Sequence, residues 1–326
     1  KAAVTDRRVR DGRALLARHA SLFDALERRY GVPRRFLVAF WGLETNYGTQ
    51  LGSYRVVAAL STLAYDGRRS QFFRQELFDV LSLLDRGHAT PSSMIGSWAG
   101  AMGQTQFMPS TFIKHAVDES GDGRIDLWGS VPDALGSAAN YLRALGWDGA
   151  RTWGREVKLP DGFDAGLASV DTAAADIVKP LAAWHALGVR AANGGTLPSV
   201  TVDAALVLPA GIEGPAFLVY ENYRTILKWN RATFYALAVG HLADRLAGAG
   251  PLVAAMPPGE PLSRNEVTRL QTALAKLGHL SGEADGVLGA ASRAAVRAFQ
   301  MAQGLPPDGY ASRTLILVAE TQAAGG

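Results

Sequence analysis

Apolar residues recur at helical spacing along most of residues 11–249. Spacings of three and four place such residues on one face of a helix, which then packs against neighbouring helices. A helix beginning at Pro33 is one example, because the fixed φ of proline suits the first helical position and Phe36 and Phe40 follow at that spacing. The pattern predicts a mainly α fold. Further predicted helices cover residues 71–85, 109–117, 131–145, 174–187 and 232–246.

Residues 151–219 depart from the helical pattern. Val200, Val202 and Ala204 alternate with other residues, and a second apolar run covers residues 217–220, as is typical of strands. An Asn-Gly-Gly turn signal at residues 193–195 lies in the same region. We therefore expect a small β-containing insertion within a helical domain that covers residues 1–250.

The C-terminal part of the chain has a different organisation. Residues 251–261 are rich in Ala, Gly and Pro and lack amphipathic periodicity, which predicts a semi-rigid linker. Residues 262–322 follow as a predicted separate domain with a loose internal duplication: Leu-Gln at 270–271 with Asp-Gly at 285–286 is answered by Phe-Gln at 299–300 with Asp-Gly at 308–309. Its predicted core consists of Leu270, Leu274, Leu277, Val296, Phe299 and Leu317.

Composition excludes several kinds of protein. The chain has no cysteine, so disulfide frameworks, thiolate zinc sites and cysteine nucleophiles are excluded. The formal net charge of +3 is too small to indicate a nucleic acid partner. No apolar run approaches the ~20 residues of a spanning helix. Because the chain starts at Lys1 without a signal peptide or initiator Met, we expect that a targeting segment has been removed.

Glu44 is a candidate catalytic carboxylate. It follows Phe36 and Phe40 at i+8 and i+4, at the end of an aromatic stripe on one helix face. Desolvation there would raise its pKa toward the range of a general acid. From these residues alone, the plainer interpretation of an exposed Glu at a fraying helix end before Gly48 is favoured.

Two segments contain groups that suit a sugar ligand. The Gly-rich segment 96–112 reads GSWAGAMGQTQFMPSTF, where glycines let a ligand approach the backbone beside neutral hydroxyl and amide groups. A tight contact between helices is the alternative. The second segment, 222–242, offers the rings of Trp229 and Tyr235 and the amide of Asn230, although aromatic residues at helical spacing are more often core. Motifs of Ser-His-Asp hydrolases and of HExxH metalloproteases are absent from the sequence.

The acidic loop 118–133 has the spacing of a calcium site. Asp118, Ser120 and Asp122 stand at positions 1, 3 and 5 of an EF-hand-like loop. Position 12 is Gly129 instead of Glu, and Asp133 is the candidate for the missing carboxylate. An Asx-rich turn without an ion is the alternative, and the metal interpretation is slightly favoured.

Taken together, these segments resemble the lytic transglycosylases of the membrane-bound lytic transglycosylase B type. The resemblance runs in order through WGLETNYG, RRSQFFRQEL, SWAGAMGQTQFMPSTF, SGDGRIDLW with SAANYL, and ILKWNRATFYALAVGHLADRL. Residues 267–315 independently resemble a peptidoglycan-binding domain through LQTALAKLGHL, DGVLGAASRAAVRAFQ and GLPPDG. The resemblance implies a lysozyme-like helical catalytic core, a small β-containing insertion and a separate C-terminal module of three-helix type.

The resemblance also implies an activity and its residues. The activity is non-hydrolytic cleavage of the β-1,4 bond between N-acetylmuramic acid and N-acetylglucosamine, with Glu44 matching the sole general acid/base and 1,6-anhydromuramoyl ends as products. Trp229 stands where the family more often has Tyr, so that stacking would survive but a hydroxyl contact would not. The other implied groove residues are Ser97, Met102, Gln106, Tyr141, Asn230, Tyr235 and either Arg68 or Arg69. The implied calcium ligands are Asp118, Ser120, Asp122, Arg124 through its carbonyl, and Asp133.

One carboxylate is sufficient for this chemistry. Ordinary glycosidases use two, one as the acid and one to activate water or attack carbon. A lytic transglycosylase uses the C6 hydroxyl of the muramic acid instead of water, so Glu44 would serve as acid and then as base. The alternatives are a hydrolytic muramidase of lysozyme type and a non-catalytic cell-wall binding or scaffold protein.

The same resemblance implies the surroundings in which the protein works. Its partners would be peptidoglycan glycan strands and proteins of cell-wall synthesis or remodelling. We expect a soluble periplasmic monomer in which Ca²⁺ is structural and takes no part in the chemistry. The C-terminal module would tether the catalytic domain to the insoluble polymer.

Overall fold

The computed structural model describes residues 3–67, 69–170, 177–257 and 261–325. Thirteen α-helices and seven strands lie within these residues. The helices are α1 (Asp6–Arg18), α2 (Ala20–Tyr30), α3 (Arg34–Thr45), α4 (Val56–Tyr65), α5 (Ser70–Asp85), α6 (Pro109–His115), α7 (Val131–Ala144), α8 (Leu181–Ala186), α9 (Glu221–Trp229), α10 (Thr233–Leu246), α11 (Arg264–Lys276), α12 (Ala290–Ala302) and α13 (Arg313–Gly325). The strands are β1 (Tyr54–Arg55), β2 (Ile95–Gly96), β3 (Gly154–Lys158), β4 (Val178–Pro180), β5 (Arg190–Ala191), β6 (Asp203–Val207) and β7 (Ala216–Val219).

The chain forms two compact units. The first contains residues 1–152, 228–230 and 235–250, and the second contains residues 153–227, 231–234 and 251–326. The predicted mainly α class is confirmed. In the described part of the chain, no helix combines the length and apolar character needed to cross a bilayer.

Helix α3 is the central helix of the first unit. Every residue from Phe36 to Trp41 is buried, on all sides of the helix. A helix that is apolar all round is stable only when other elements surround it. Glu44 lies in the last turn of α3 and is partly exposed, so the helix holds this carboxylate at the edge of the core.

Two helix predictions were wrong in detail. The near-helical spacing of apolar residues from Leu15 to Tyr30 predicts one helix, but the structure has α1 and α2, divided at His19. A predicted helix at 174–187 is replaced by β4 followed by the short α8. Pro180 accounts for the second difference, because proline disfavours helical geometry in the residue before it. Residues 171–176, which that prediction partly covers, lie outside the described residues.

The β-containing insertion is confirmed as a five-stranded antiparallel sheet in the second unit. The strand order is β4-β6-β7-β3-β5, and Ala205 of β6 pairs with Val219 of the central strand β7. Leu206 and Leu218 from these two strands pack with Trp184 of α8 in a separate hydrophobic core.

The tail has its own core, formed by α11, α12 and α13. Leu270, Leu274, Val296 and Phe299 are buried in it as predicted, and Leu277 is partly buried. The prediction for Leu317 was wrong, since 60% of this residue is exposed. Helix α13 instead turns Leu315, Ile316 and Ala319 inward, which leaves position 317 on the outer face.

The internal duplication of the tail is a repeated hydrogen-bonded clasp. Gln271 donates from Nε2 to Asp285 Oδ1 at 2.9 Å and accepts from the Gly286 N–H at 2.8 Å. Gln300 makes the same pair of bonds with Asp308 Oδ1 at 2.7 Å and with the N–H of the residue after it at 2.8 Å. Each glutamine thus fixes an Asp-Gly turn to its helix.

Within the second unit, the tail and the linker contact the β-containing region. The Ile212 N–H donates to the outer carboxylate oxygen of Asp308 at 2.9 Å. The Glu156 carboxylate on β3 accepts from the N–H groups of Val253 and Ala254 at 2.7–3.0 Å. The tail is therefore packed against the sheet region, a contact for which the sequence pattern contains no signal.

Candidate active site

The Glu44 carboxylate accepts two hydrogen bonds on the same oxygen. Trp229 Nε1–H donates to Glu44 Oε1 at 2.9 Å, and the Tyr235 hydroxyl donates to the same atom at 2.5 Å. Within the described part of the chain, no residue hydrogen-bonds to Oε2. Helix α3 ends directly after Glu44, where Asn46 and Tyr47 adopt left-handed backbone conformations with φ of 49° and 62°. The fold thus brings together one carboxylate and two donors that are far apart in sequence.

An aromatic cluster surrounds the Trp229 indole. Its centroid lies 4.6 Å from the ring of Phe40, 5.2 Å from Tyr141 and 5.5 Å from Phe107. Phe40 and Phe107 are buried, whereas Trp229 and Tyr141 are partly exposed. These aromatic residues therefore form part of the core on one side and a surface beside Glu44 on the other.

Burial raises the pKa of Glu44 from its ordinary 4.5 to about 7, and the hydrogen bonds from Tyr235 and Trp229 lower it only in part. Among the described residues, no second carboxylate contributes to this shift. The pKa of Tyr235 lies well above its usual value because of burial and the neighbouring Glu44. A carboxyl group near pKa 7 can give up and take back a proton at neutral pH.

Gln104 holds the Gly-rich segment against the end of α3. Its Oε1 accepts from Trp41 Nε1 at 2.9 Å, its Nε2 donates to the Trp128 carbonyl at 3.1 Å, and its carbonyl accepts from the Thr45 hydroxyl at 2.6 Å. Thr45 is the residue after Glu44. Gln104 is thus a positioning residue that the sequence analysis missed. The only signal in the sequence was a neutral amide in a Gly-rich segment, which does not show what that amide contacts.

Three predicted groove residues belong to the framework of the Gly-rich segment. Ser97 Oγ accepts from the Ala101 N–H at 3.0 Å, which closes a local turn. Gln106 has a left-handed φ of 51° and donates to the Leu51 carbonyl at 3.3 Å. Met102 is fully buried, so its side chain presents no surface to a groove.

The remaining predicted groove residues differ in their surroundings. Tyr141 lies in the aromatic cluster, and Asn230 is exposed directly after α9. Arg69 is exposed, with its guanidinium 4.5 Å from the centre of the Phe72 ring. Arg68, the other arginine of the predicted pair, lies outside the described residues.

The acidic loop is held by its own carboxylates. Asp118 accepts from the Ser120 hydroxyl at 3.0 Å and from backbone N–H groups of the loop. The buried Asp133, expected to be a calcium ligand, instead accepts three backbone N–H bonds at 2.9–3.0 Å, one of them from Asp126. No group of three or more acidic, His or Cys side chains that could hold a metal is found among the described residues. Asp118, Ser120 and Asp122 lie at the surface side of the loop and offer oxygen atoms of the kind that calcium prefers, whereas Asp133 is fully buried beneath the loop.

Comparison with known proteins supports the family suggested by the motifs. Residues 1–244 match the model of the transglycosylase SLT domain. The chain belongs to this family. Residues 263–316 match a putative peptidoglycan binding domain. The resemblance to lytic transglycosylases of the membrane-bound lytic transglycosylase B type is confirmed, and so is the resemblance of the tail.

Several relatives share this architecture. The chain is 35% identical over 235 residues to membrane-bound lytic murein transglycosylase B of Escherichia coli K12, a match that covers 69% of this chain and 60% of that protein. The crystal structure of SltB3 from Pseudomonas aeruginosa in complex with NAG-NAM-pentapeptide has a TM-score of 0.92 and 49% identity, over 97% of this chain and 84% of that one. Slt35 of Escherichia coli in complex with calcium has a TM-score of 0.65 and 31% identity, over 75% of each chain.

Proposed function

We propose that this lytic transglycosylase cleaves the MurNAc-β-1,4-GlcNAc bond of peptidoglycan with Glu44 as its only acid/base. The observation that carries the proposal is a single carboxyl group that accepts hydrogen bonds from Trp229 and Tyr235. Its pKa is raised to about 7 by burial, without a contribution from a second carboxylate among the described residues. Because Trp229 Nε1–H can only donate, Oε1 stays an acceptor and the proton resides on Oε2.

The reaction then needs no water. Glu44 gives the Oε2 proton to the glycosidic oxygen as the bond between that oxygen and C1 of the muramic acid breaks. The resulting carboxylate takes the proton of the C6 hydroxyl while O6 bonds to C1, which closes the 1,6-anhydro ring and restores protonated Glu44. Attack within one sugar has the entropic advantage of an intramolecular reaction.

Mass spectrometry of digested cell-wall sacculi tests this proposal. Anhydromuramoyl ends are one water lighter than reducing ends, so the mass of the products distinguishes transglycosylation from hydrolysis. Reducing ends alone would identify a hydrolytic muramidase. Release of no fragments by folded protein would support the non-catalytic scaffold alternative.

The pH dependence reports on Glu44 and Trp229. We expect kcat/KM to fall as pH rises through about 7, because the free enzyme must carry the Glu44 proton to act as an acid. Trp229→Phe removes a donor that lowers the pKa of Glu44, so the alkaline limb should move to higher pH. Trp147→Phe, which alters an indole packed on Phe36, should leave the limb in place. An unmoved limb in Trp229→Phe would contradict the assignment.

The proposed substrate determines where the protein works. Glycan strands of the cell wall lie outside the cytoplasm, and we therefore place the protein in the periplasm. We further propose that it acts as a monomer, and that proteins of cell-wall synthesis or remodelling are its partners.

We propose that the acidic loop binds calcium through Asp118, Ser120, Asp122 and the Arg124 carbonyl, with Asp133 ordering the loop backbone beneath. The oxygen-only donor set and the calcium complex of Slt35 support this proposal. Calcium should raise the Tm of metal-stripped protein with increasing concentration, because it binds only the folded state. Asp122→Ala should abolish the rise, whereas a Tm indifferent to calcium and chelator in the unsubstituted protein would exclude the site.

We propose that residues 262–322 bind the polymer and take no part in bond cleavage. Truncation after Ala249 should weaken sedimentation with whole sacculi, while turnover of short soluble glycan fragments stays nearly unchanged. Glu156→Ala in the full chain removes the acceptor for the Val253 and Ala254 N–H groups but leaves residues 262–322 unchanged, so it should sediment like the parent. Loss of turnover on short fragments, in truncated protein shown to be folded, would mean that the tail helps to build the active site.

A further inference from the structure

A concave site lies beside the Gly-rich segment in the first unit. It is a cavity of about 460 Å³ with walls formed by Tyr54, Arg55 and Trp98. Its floor is the face of α4 that carries Ala58, Ala59 and Thr62. Neither Glu44 nor its hydrogen-bond donors line this cavity, so it is distinct from the acid/base site.

The walls of the cavity suit a sugar ring. Trp98 is 64% exposed and Tyr54 is 55% exposed, and both rings border the same space. Aromatic rings offer large apolar faces at low entropic cost, against which the C–H face of a sugar can stack. The small side chains of Ala58 and Ala59 leave the depth that such a ring requires.

The only charged wall residue is basic. Arg55 is exposed and forms no ion pair with any residue that the structure describes, so its guanidinium donors are available to ligand oxygens. No acidic residue lines the cavity. The lining thus favours a ligand rich in hydroxyl and carbonyl acceptors over a cationic one.

The backbone holds these walls in a fixed position. Tyr54 and Arg55 form β1, and Tyr54 pairs with Gly96 of β2, two residues before Trp98. Gly52 approaches β2 so closely that an added Cβ would lie 2.1 Å from the Gly96 carbonyl oxygen. A site with prearranged walls loses less entropy on binding than one that must form around its ligand.

The same framework carries the groove residues of the Gly-rich segment. Ser97 directly precedes Trp98, and Gln106 donates to the carbonyl of Leu51, three residues before Tyr54. We propose that the cavity is an additional saccharide-binding subsite for an N-acetylated sugar of the glycan strand that is cleaved at Glu44. This inference rests on the proposed function, because it requires a polymeric sugar substrate.

The test compares short and long glycans in the Glu44→Gln background, in which cleavage is expected to be slow compared with a binding measurement. Titration calorimetry would measure Kd for a GlcNAc–MurNAc disaccharide and for a long peptide-free glycan oligomer. Trp98→Ala and Tyr54→Ala should each weaken binding of the oligomer about ten-fold and leave the disaccharide Kd unchanged. Trp98→Phe, which keeps a stacking face, should restore most of the affinity.

Tyr65→Ala is the matched control, since Tyr65 is an aromatic residue of α4 that is 94% exposed and does not line the cavity. It should bind both glycans like the parent. Parental Kd values for the oligomer in both Trp98→Ala and Tyr54→Ala, at unchanged Tm, would overturn the subsite. Failure of the proposed function would show separately, as the absence of anhydromuramoyl ends from wild-type digests.

Discussion

Glu44→Gln is expected to lower kcat on sacculi by about 10³-fold, because the only group that donates and accepts the reacting proton is removed. The amide oxygen can still accept from Trp229 and Tyr235, so the geometry of the site should be preserved. The rate is measured as release of anhydromuramoyl fragments, with binding of glycan oligomers as the control for an intact groove. Activity within ten-fold of the parent would contradict the single-carboxylate mechanism.

The same substitution should stabilise the protein at alkaline pH. The folded pKa of Glu44 is about 7 against an ordinary 4.5, so ionisation costs free energy only in the folded state. The free energy of unfolding of the parent therefore falls as pH rises from about 4.5 to about 7, and stays lowered above that range.

Gln does not titrate, so the variant avoids this loss. At pH 8 it should exceed the parent by at most about 3 kcal/mol, and below pH 4 the two should converge. Urea denaturation at both pH values measures the difference. An equal difference at the two pH values would show that the pKa of Glu44 is not raised by folding.

Gly52→Ala is expected to destabilise the protein by more than about 3 kcal/mol. Gly52 has a φ of +95°, and its added Cβ would lie 2.1 Å from the Gly96 carbonyl oxygen. This oxygen belongs to the backbone, so no change of side-chain rotamer can relieve the clash. The cost combines left-handed strain with the separation of β1 from β2. Chemical denaturation and Tm measure the loss.

Gly87→Ala separates these two contributions. Gly87 has a similar positive φ of +74° but faces open space. Gly87→Ala should therefore lower the free energy of unfolding only by the backbone strain, about 1 kcal/mol. Equal losses in both variants would mean that the close approach of residue 52 to β2 contributes nothing to stability.

Local patterns in the sequence were enough to predict the main helices and two strands. Pro33 predicted the start of α3 to within a residue, and the alternation that begins at Val200 and the apolar run at 217–220 predicted β6 and β7. Helix α4 was missed because its Val- and Ala-rich sequence shows little difference between its faces. Leu317 was misplaced because the spacing of apolar residues in α13 does not identify which neighbouring face covers them.

The motifs of the sequence were enough to indicate the family, and the resemblance made Glu44 the candidate acid/base, because a short motif carries its own residue types and spacing wherever it folds. The interpretation of Trp229 needed the tertiary structure, because its indole N–H donates a hydrogen bond to Glu44 that no spacing in the sequence predicts. The raised pKa of Glu44 and the hydrogen bonds by which Gln104 holds the Gly-rich segment against α3 also depend on the tertiary structure. Desolvation and hydrogen bonding depend on groups from distant parts of the chain, and no local spacing encodes which of those groups will meet.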